Sequence, residues 1–389
     1  MSDKYLLKVS IGPVQEFIAE ARKTRDLWVG SYLLSYMTFK AIEPFIDNNC
    51  EIIYPYVEDS PFYKLKIGQG HTISPHTLQT SSLPNHFLVV VPKDKLYNLI
   101  KSSRENCKKY WLDISDEVKK RIHDELDRIQ DLIGWAGNNW DSLWGTQVED
   151  LWYYLWVAIP VSDDELNNNY QEKVRKIQRF LEERKITRTF NQWWGSSAIK
   201  CTQCGHREVM GPEGLKENAQ FWGEVQKKFK ANIREGDRLC AICIIKRFIK
   251  SSDILSGLSE IRFESTEDIA VIPFREYIKE KLNDQKKSEL LEKANNLRKL
   301  LIPQSPSLDN LEDIESKLIY TDELLSDKLM REYFPELKKD TDDYINQKSL
   351  LEPSAKELRE FLEKIYEEIG NKPSKYYAVL YTDGDDMGK

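Results

Sequence analysis

The chain has 389 residues, of which 40% are hydrophobic and 31% are charged, and its formal net charge at pH 7 is −7. This length predicts roughly two to three domains, and the composition is typical of globular proteins. The negative charge argues against a uniformly basic nucleic-acid surface, so any such contact would use local basic patches. No apolar run reaches the roughly 18 residues of a membrane helix, and the N-terminus lacks a signal-peptide core. We therefore predict a cytoplasmic protein without membrane contacts.

The first part of the chain alternates between strand and helix patterns. Apolar alternation predicts a strand at Lys4–Ser10, and Gly12-Pro13 then opens a helical pattern from Val14 to about Ile46. The further predicted elements are a strand at 51–55, a loop-rich segment at 56–84, a strand at 86–92, a helix at 95–133 and a strand at 151–161. This βαββαβ order predicts a ferredoxin-like α+β domain, the arrangement that nucleotidyl cyclases and polymerase palms share.

This first domain lacks the acidic residues with which palms hold metal ions. Palms place these acids at the end of the first strand and in the hairpin between the second and third strands. Here the first strand ends in Ser10-Ile11-Gly12, and the hairpin segment offers only Glu58 and Asp59. If the domain is a palm, we predict that it is catalytically degenerate.

Two cysteine pairs form the sharpest local pattern of the sequence. Cys201-x-x-Cys204 and Cys240-x-x-Cys243 each place two thiols close together, as tetrahedral Zn²⁺ requires. We predict a structural zinc-binding insertion with four cysteine ligands, whose four thiolates leave no open coordination position for catalysis. A redox pair is the alternative interpretation.

Other histidine, cysteine and basic patterns have structural explanations that we prefer. His123-Asp124 spells the dipeptide of metal phosphohydrolases but lies in a charged helical run, and His206 is expected to be a bystander beside the first cysteine pair. Arg22 and Arg25 lie three residues apart in the predicted first helix and could together contact phosphate. The lone Cys50 and Cys107 are expected to be buried, and the loop-associated His71, His76 and His86 to be solvated. The basic run Lys227–Lys230 could contact nucleic acid, but a solvated surface is the preferred interpretation.

The second half of the chain has mainly helical periodicity before its last stretch. A helical domain is predicted with helices at 274–301, 310–319, 321–334 and 354–369, separated by Pro303, Pro306, Pro335 and Pro353. Aromatic and β-branched residues then predict a buried strand at Tyr376–Thr382. The strand leads directly into Asp383, Gly384, Asp385 and Asp386. Such a carboxylate group is typical of a divalent cation site with nucleotide phosphates, and an acidic hairpin turn is the alternative.

Taken in order, these motifs resemble a known family. IGPVQEFIAEARKTRDLWVGSYLLS at residues 11–35 resembles the N-terminal signature of the large subunit of type III-B (Cmr) CRISPR effector complexes. SLPNHFLV at residues 82–89, the two cysteine pairs and the DGDDMGK ending resemble the same family in the same order. The resemblance therefore extends over the whole chain.

The resemblance implies two cyclase-like palms, with a zinc-binding element and helical domains between and after them. The implied domains are a degenerate first palm at 1–162, a helical and zinc-binding segment at 163–250, a helical domain at 251–372 and the start of a second palm at 373–389. In this family the second palm converts ATP into cyclic oligoadenylates once target RNA is bound. The resemblance thus implies a nucleotidyltransferase that works with other Cmr subunits, guide RNA and target RNA.

The same resemblance implies roles for the residues of the last stretch. The family's second palm holds two divalent metals, Mg²⁺ or Mn²⁺, through an Asp at the end of its first strand and a later GGDD hairpin. DGDDMGK matches the first-strand position, which implies that Asp383 is the main metal ligand, assisted by Asp385 or the Gly384 carbonyl. Gly384, Asp386 and Lys389 are the implied nucleotide contacts.

Two departures from the family pattern limit what we expect of this chain. It starts directly at the first palm without an HD nuclease domain, so we do not expect it to cleave DNA. It contains no GGDD sequence, so we expect no oligoadenylate synthesis by this chain alone and a continuation of the intact protein past Lys389. A non-catalytic scaffold that organises guide RNA and neighbouring subunits is the main alternative. A stand-alone diguanylate-type cyclase would leave the first palm and the cysteine pairs unexplained.

Overall fold

The structure is a computed structural model of the chain. It describes residues 3–70, 73, 75–127, 139–149, 151–187, 198–229, 232–254, 266–303, 307–334, 337 and 339–376. The chain folds into two compact units, unit 1 at Met1–Ile261 and unit 2 at Arg262–Lys389. In the described part of the chain, no helix combines the length and apolar character needed to cross a bilayer.

Unit 1 contains a four-stranded antiparallel sheet. Its strands are β1 (Lys4–Gly12), β2 (Glu51–Tyr54), β3 (His86–Pro92) and β4 (Tyr153–Val161), arranged in the order β2-β3-β1-β4. The central strand β1 pairs with β3 on one side, where Leu7 faces Val89, and with β4 on the other, where Leu7 faces Ala158. The four strands lie where the apolar patterns predict them.

Both faces of this sheet are covered by helices, so β1 is buried on both sides. The helices up to residue 187 are α1 (Gln15–Ala19), α2 (Thr24–Asp47), α3 (Pro61–Lys66), α4 (Pro75–Leu78), α5 (Leu96–Asp127), α6 (Asn139–Glu149), α7 (Asp163–Asn168) and α8 (Tyr170–Ile186). Leu7 and Val9 belong to the large core that includes α2 and α5. Leu6 lies on the opposite face, in a small core with Ile177 of α8.

The continuous helix predicted from Val14 to about Ile46 is wrong, because it is broken between Ala19 and Thr24. In the break, the Lys246 amine binds the backbone carbonyls of Phe17 and Glu20. The amine thus supplies a donor to carbonyls at the point where the helical ladder is interrupted. Helix α2 continues without interruption through Gly30.

The remainder of unit 1 folds onto the same core as the sheet. It contains α9 (Leu215–Lys228), α10 (Ala241–Phe248) and α11 (Ser251–Ile254). Met210, Phe221 and Ile244 of this part are almost fully buried and belong to one hydrophobic cluster with the residues of α2 and α5. The cysteine-bearing segment therefore packs on the core of the sheet and does not form a core of its own.

Unit 2 is helical in its described part. Its elements are α12 (Thr266–Lys281), α13 (Asp284–Leu301), two 3₁₀ turns at Leu311–Asp313 and Ser316–Leu318, α14 (Asp327–Tyr333) and α15 (Asp342–Ile369). The predicted helix at 274–301 is split, because the Asn283 side chain caps α13 by accepting from the Lys286 N–H at 2.9 Å. Pro353 does not end a helix but lies inside α15, where buried Leu351 and Leu358 hold the helix against the core. The predicted helix at 310–319 is replaced by the two 3₁₀ turns.

Candidate metal centre

Four thiols converge in unit 1. The Sγ atoms of Cys201, Cys204, Cys240 and Cys243 all lie within 4.8 Å of one another, and Cys204 Sγ is 3.8 Å from Cys240 Sγ. A tetrahedron with Zn–S bonds of about 2.3 Å has edges of about 3.8 Å, so the donor set fits Zn²⁺. The four side chains are buried, the most exposed being Cys204 at 9%. The predicted meeting of the two pairs is confirmed.

Each pair lies in a backbone turn that its own sequence supplies. The Cys201 N–H donates to the Arg207 carbonyl at 2.9 Å, and the Gly205 N–H donates to the Cys201 carbonyl at 2.9 Å. Gly205 has φ +73°, a left-handed conformation that glycine adopts without strain. Cys240 directly precedes α10, and its carbonyl accepts from the Ile244 N–H at 2.9 Å.

Two backbone hydrogen bonds join the turns and bring the pairs together. The Thr202 N–H donates to the Arg238 carbonyl at 2.8 Å, and the Met210 N–H donates to the Leu239 carbonyl at 2.9 Å. Helix α9 lies in the sequence between the pairs, and its Trp222 donates to the Met210 carbonyl at 2.9 Å. The long spacer is thus folded back on the turns.

The thiols influence one another's protonation. Hydrogen bonds from Cys201, Cys240 and Cys243 hold the pKa of Cys204 far below its usual range. Burial raises the pKa of Cys240, and hydrogen bonding to Cys201 and the other thiols raises the pKa of Cys243. The four groups therefore cannot all be thiolates unless a cation compensates their charge, which is the role that Zn²⁺ would have.

The other candidate ligands from the sequence do not join this group. His206 is exposed and is not part of the cluster. Among the described residues, the potential metal ligands that lie close together are the four cysteine thiols alone. Cys107 is buried, which raises its pKa to about 12, and Cys50 is half-buried. His86 stacks on Tyr54 with ring centroids 5.2 Å apart. The side chains of His71 and His76 lie outside the described residues.

A buried network of charged side chains, which sequence reasoning missed, lies beside the thiols. Arg247, 2% exposed, bonds to the fully buried carboxylate of Asp26 at 2.7, 2.9 and 3.1 Å. Arg207 bonds to the Glu20 carboxylate at 2.6 Å, and Lys246 donates to the Phe17 carbonyl at 2.7 Å. A sequence signal exists, since Lys246-Arg247 lies in an otherwise apolar helix that begins at the second cysteine pair.

Three of the basic residues considered as phosphate contacts, Arg25, Lys227 and Lys228, have structural partners. Arg25 donates to the Ile249 carbonyl at 2.5 Å, and Arg22 lies in the break between α1 and α2, so the two do not share a helix face. In the run Lys227–Lys230, Lys227 pairs with Glu224 at 2.6 Å and Lys228 with Glu125 at 3.1 Å. Phe229 packs edge-on against Phe248 with ring centroids 4.9 Å apart.

The end of β1 borders a cavity rather than an acidic site. Glu58 accepts from the Tyr56 hydroxyl at 2.8 Å and Asp59 lies 3.8 Å from the Lys64 amine, so both acids have local partners. A cavity of about 1250 Å³ lies beside the end of β1 and the start of β4, and Glu16, Arg104, Lys108, Trp152, Trp156 and Arg207 contribute to its lining. Its lining mixes aromatic, cationic and anionic side chains.

The predicted metal and nucleotide residues Asp383, Gly384, Asp385, Asp386 and Lys389 lie outside the described residues. The chain that leads to them is anchored in unit 2. There the Lys375 amine bonds to Asp322 at 2.7 Å and to Glu323 at 3.0 Å, and the Tyr320 hydroxyl donates to the Ser374 carbonyl at 2.8 Å.

Comparison with known proteins places the chain in a family. Residues 6–131 match the family described as CRISPR-associated protein Cmr2, N-terminal. The CRISPR system Cmr subunit Cmr2 of Pyrococcus furiosus is 30% identical over 447 aligned positions, which cover 100% of this chain and 45% of the relative. The chain belongs to the Cmr2 family. It spans about half the length of this curated Cmr2 relative.

Two solved structures are also similar to the chain. A chain of the type III-B Cmr-beta complex in the apo state has a TM-score of 0.53 and 19% identity, covering 79% of this chain and 38% of the other. A chain of Cmr-beta bound to cognate target RNA has a TM-score of 0.49 and 19% identity, with coverage of 74% and 38%. The first similarity shows a common fold.

Proposed function

We propose that the chain forms part of the large subunit of an RNA-guided type III-B CRISPR antiviral effector complex, whose intact form converts ATP into cyclic oligoadenylates on binding target RNA. The observation that carries this proposal is the 30% identity to a Cmr2 subunit along the whole chain. The proposed partners are other Cmr subunits, guide RNA and target RNA, and the proposed location is the cytoplasm.

Within this subunit, residues 1–162 would be a cyclase-like palm without chemistry. The βαββαβ order and the antiparallel order β2-β3-β1-β4 support a ferredoxin-like arrangement. The lack of an acid at the end of β1 and the local partners of Glu58 and Asp59 support the degenerate state. This domain would then serve to position its neighbours.

The cysteine cluster would hold one structural Zn²⁺. Cys201, Cys204, Cys240 and Cys243 supply four soft donors at a spacing that suits tetrahedral coordination. Four thiolates fill the coordination shell, so the ion would stabilise the fold and would not bind substrate.

The proposed catalytic residues belong to the last stretch of the chain. Asp383 and Asp385 would hold Mg²⁺ or Mn²⁺, and Gly384, Asp386 and Lys389 would contact ATP. A divalent ion bound there would polarise the α-phosphate and favour deprotonation of the attacking ribose hydroxyl. The anchored segment at Ser374 and Lys375 would fix the start of the strand that carries these residues.

Asp383→Ala in the intact protein, assembled with its partners, tests the catalytic proposal. We expect the variant to lose oligoadenylate synthesis from ATP while target RNA binding stays unchanged, because only the metal ligand is removed. Asp309→Ala, which removes an exposed carboxylate from a loop of unit 2, is the matched control and should keep full synthesis. Normal synthesis by Asp383→Ala would refute the assignment.

A non-catalytic scaffold is the second candidate, and the acid-poor first palm favours it. In that case the wild-type complex would bind guide and target RNA but would form no oligoadenylate with ATP and Mg²⁺ or Mn²⁺. The same assay therefore separates the two functions before any variant is made.

A further inference from the structure

The break between α1 and α2 is held by the segment that carries the cysteine pairs. We call residues 14–26, which contain α1, the break and the start of α2, the signature turn. It lies inside the family-matched region, whereas its partners lie about 180 to 230 residues later in the sequence. The signature turn and the cysteine cluster therefore form one structural feature of unit 1.

Lys246, in the helix that begins at the second cysteine pair, binds the end of α1. It is fully buried and lies three residues after Cys243. Its amine donates to the carbonyls of Phe17 and Glu20 and lies 5.1 Å from the centroid of the Phe17 ring. The amine thus satisfies backbone carbonyls that the end of a short helix leaves without helical partners.

Residues of the first cysteine turn bind the break itself. The Arg207 guanidinium, three residues after Cys204, pairs with the Glu20 carboxylate at 2.6 Å. The Gln203 amide, which lies between the two cysteines of the pair, donates to the Glu20 carbonyl at 3.0 Å. Glu20 is therefore bound through both its side chain and its backbone.

Arg247 binds the far end of the signature turn. It pairs with Asp26, in the first turn of α2, and also donates to the Gln203 side chain at 2.6 Å. Arg25 adds a bond to the Ile249 carbonyl. The segment of the second cysteine pair thus contacts both sides of the break, and the first cysteine turn contacts Glu20.

The charge balance explains why these contacts would depend on the metal. Zn²⁺ with four thiolates carries a net charge of −2, which buried cations nearby can compensate. Lys246 and Arg207 each lie three residues after a cysteine, Cys243 and Cys204 respectively, and reach Glu20 from there. We propose that a metal ion in the four-cysteine cluster controls the conformation of the signature turn. This inference rests on the proposed zinc site.

The consequence extends to the cavity beside β1. Glu16 and Glu20 of the signature turn line that cavity together with His206, Arg207 and Glu208 of the first cysteine turn. Loss of the metal would free the signature turn and the first cysteine turn together, and both line the cavity. The cluster thus sets the shape of one wall of the cavity.

Hydrogen–deuterium exchange of the full chain, before and after zinc removal by a chelator, tests this inference. The amide reporters are Ile18 and Glu20, whose N–H groups bond to the Val14 and Glu16 carbonyls at 2.9 and 3.2 Å. We expect exchange across residues 14–26 to accelerate at least about tenfold on removal and to return when Zn²⁺ is added back. Exchange across β3 should not change, since that strand is paired on both sides.

Glu20→Gln tests the link while the cysteines stay intact. It should accelerate exchange of residues 14–26 at unchanged zinc content, because Arg207 loses its anionic partner. Glu16→Gln, which changes an exposed acid of the same signature turn, should leave exchange as in the wild type.

Three outcomes would count against the inference. Unchanged exchange of residues 14–26 in a protein shown by elemental analysis to have lost its zinc would overturn it. So would an equal acceleration in β3, because the metal would then support the whole unit and not the signature turn. A purified, folded chain that contains no zinc would instead refute the zinc site and leave the rest of the proposed function standing.

Discussion

Replacement of Asp26 by asparagine removes the negative partner of a deeply buried arginine. Asp26 is fully buried, Arg247 is 2% exposed, and three N–O distances of 2.7 to 3.1 Å join them. The asparagine keeps the size of the side chain but leaves the guanidinium without its closest counter-charge. We therefore expect unit 1 of the Asp26→Asn variant to be less stable than the wild type.

The magnitude follows from what Arg247 retains. Removal of one partner from a buried ion pair costs about 3 to 5 kcal/mol. Arg247 keeps the Asn232 carbonyl at 2.7 Å and the Asp237 carboxylate at 3.4 Å, so we expect the lower end, about 3 kcal/mol. With a urea dependence of about 3 kcal/mol per M, the unfolding midpoint should fall by about 1 M.

Tryptophan fluorescence during urea unfolding is the suitable assay. All ten tryptophans lie between Trp28 and Trp222, so the signal reports on unit 1. Asp163→Asn is the matched control, because the Lys4–Asp163 pair has side chains that are 46% and 71% exposed, and its midpoint should stay at the wild-type value. A midpoint decrease below about 0.3 M for Asp26→Asn would refute the assigned importance of the buried pair.

Two further predictions concern the metal and the pH dependence of unit 2. Elemental analysis of the purified chain should find about one zinc per chain, and a Cys201→Ser/Cys240→Ser variant should lose it, because two donors cannot hold the ion. Lys339 and Tyr344 hold the pKa of Asp327 at about 2, below its usual 3.8. Between these two pKa values the folded state binds fewer protons than the unfolded state. The ionised Asp327 carboxylate therefore stabilises the folded state above about pH 4, and this stabilisation is lost as the pH falls through about 2. A carboxyl NMR titration should give a midpoint near 2, and Lys339→Met should raise it.

Matched variants make both predictions decisive. Cys50→Ser removes a half-buried thiol outside the cluster and should retain the zinc, and retention by the double variant would refute the four-cysteine site. Lys356→Met changes a cation on the exposed face of α15 and should not move the Asp327 midpoint. A wild-type midpoint near 3.8 would show that the contacts of Asp327 do not stabilise its charged form.

The strands and the cysteine cluster could be predicted because their determinants are local. The run at His86–Pro92 has its observed bounds in the sequence, since apolar β-branched residues bounded by turn residues favour a strand wherever they occur. A CxxC turn brings two thiols together within four residues, and thiolate chemistry then favours the meeting of two such turns. The family signature at residues 11–35 likewise needs no tertiary information.

The break in the first helix could not be predicted, because its cause is distant in the sequence. Val14, Phe17, Ile18 and Ala21 continue a helical period, so the local pattern favours one helix. Contacts from Lys246 and Arg207 outweigh this preference, and helix propensity is weak enough to be overridden by tertiary contacts.

By itself, then, the sequence determined the positions of the four strands of unit 1, the four thiol ligands and the family, because each follows from side-chain periodicity, short spacing or a linear motif. The tertiary structure decided that the cysteine segment shares one core with the sheet and that Lys246 and Arg247 are buried. It also decided that residues next to the cysteine pairs bind the signature turn. These features depend on which charged groups meet when distant segments pack, and a buried charge is tolerated only where folding brings its partners to it.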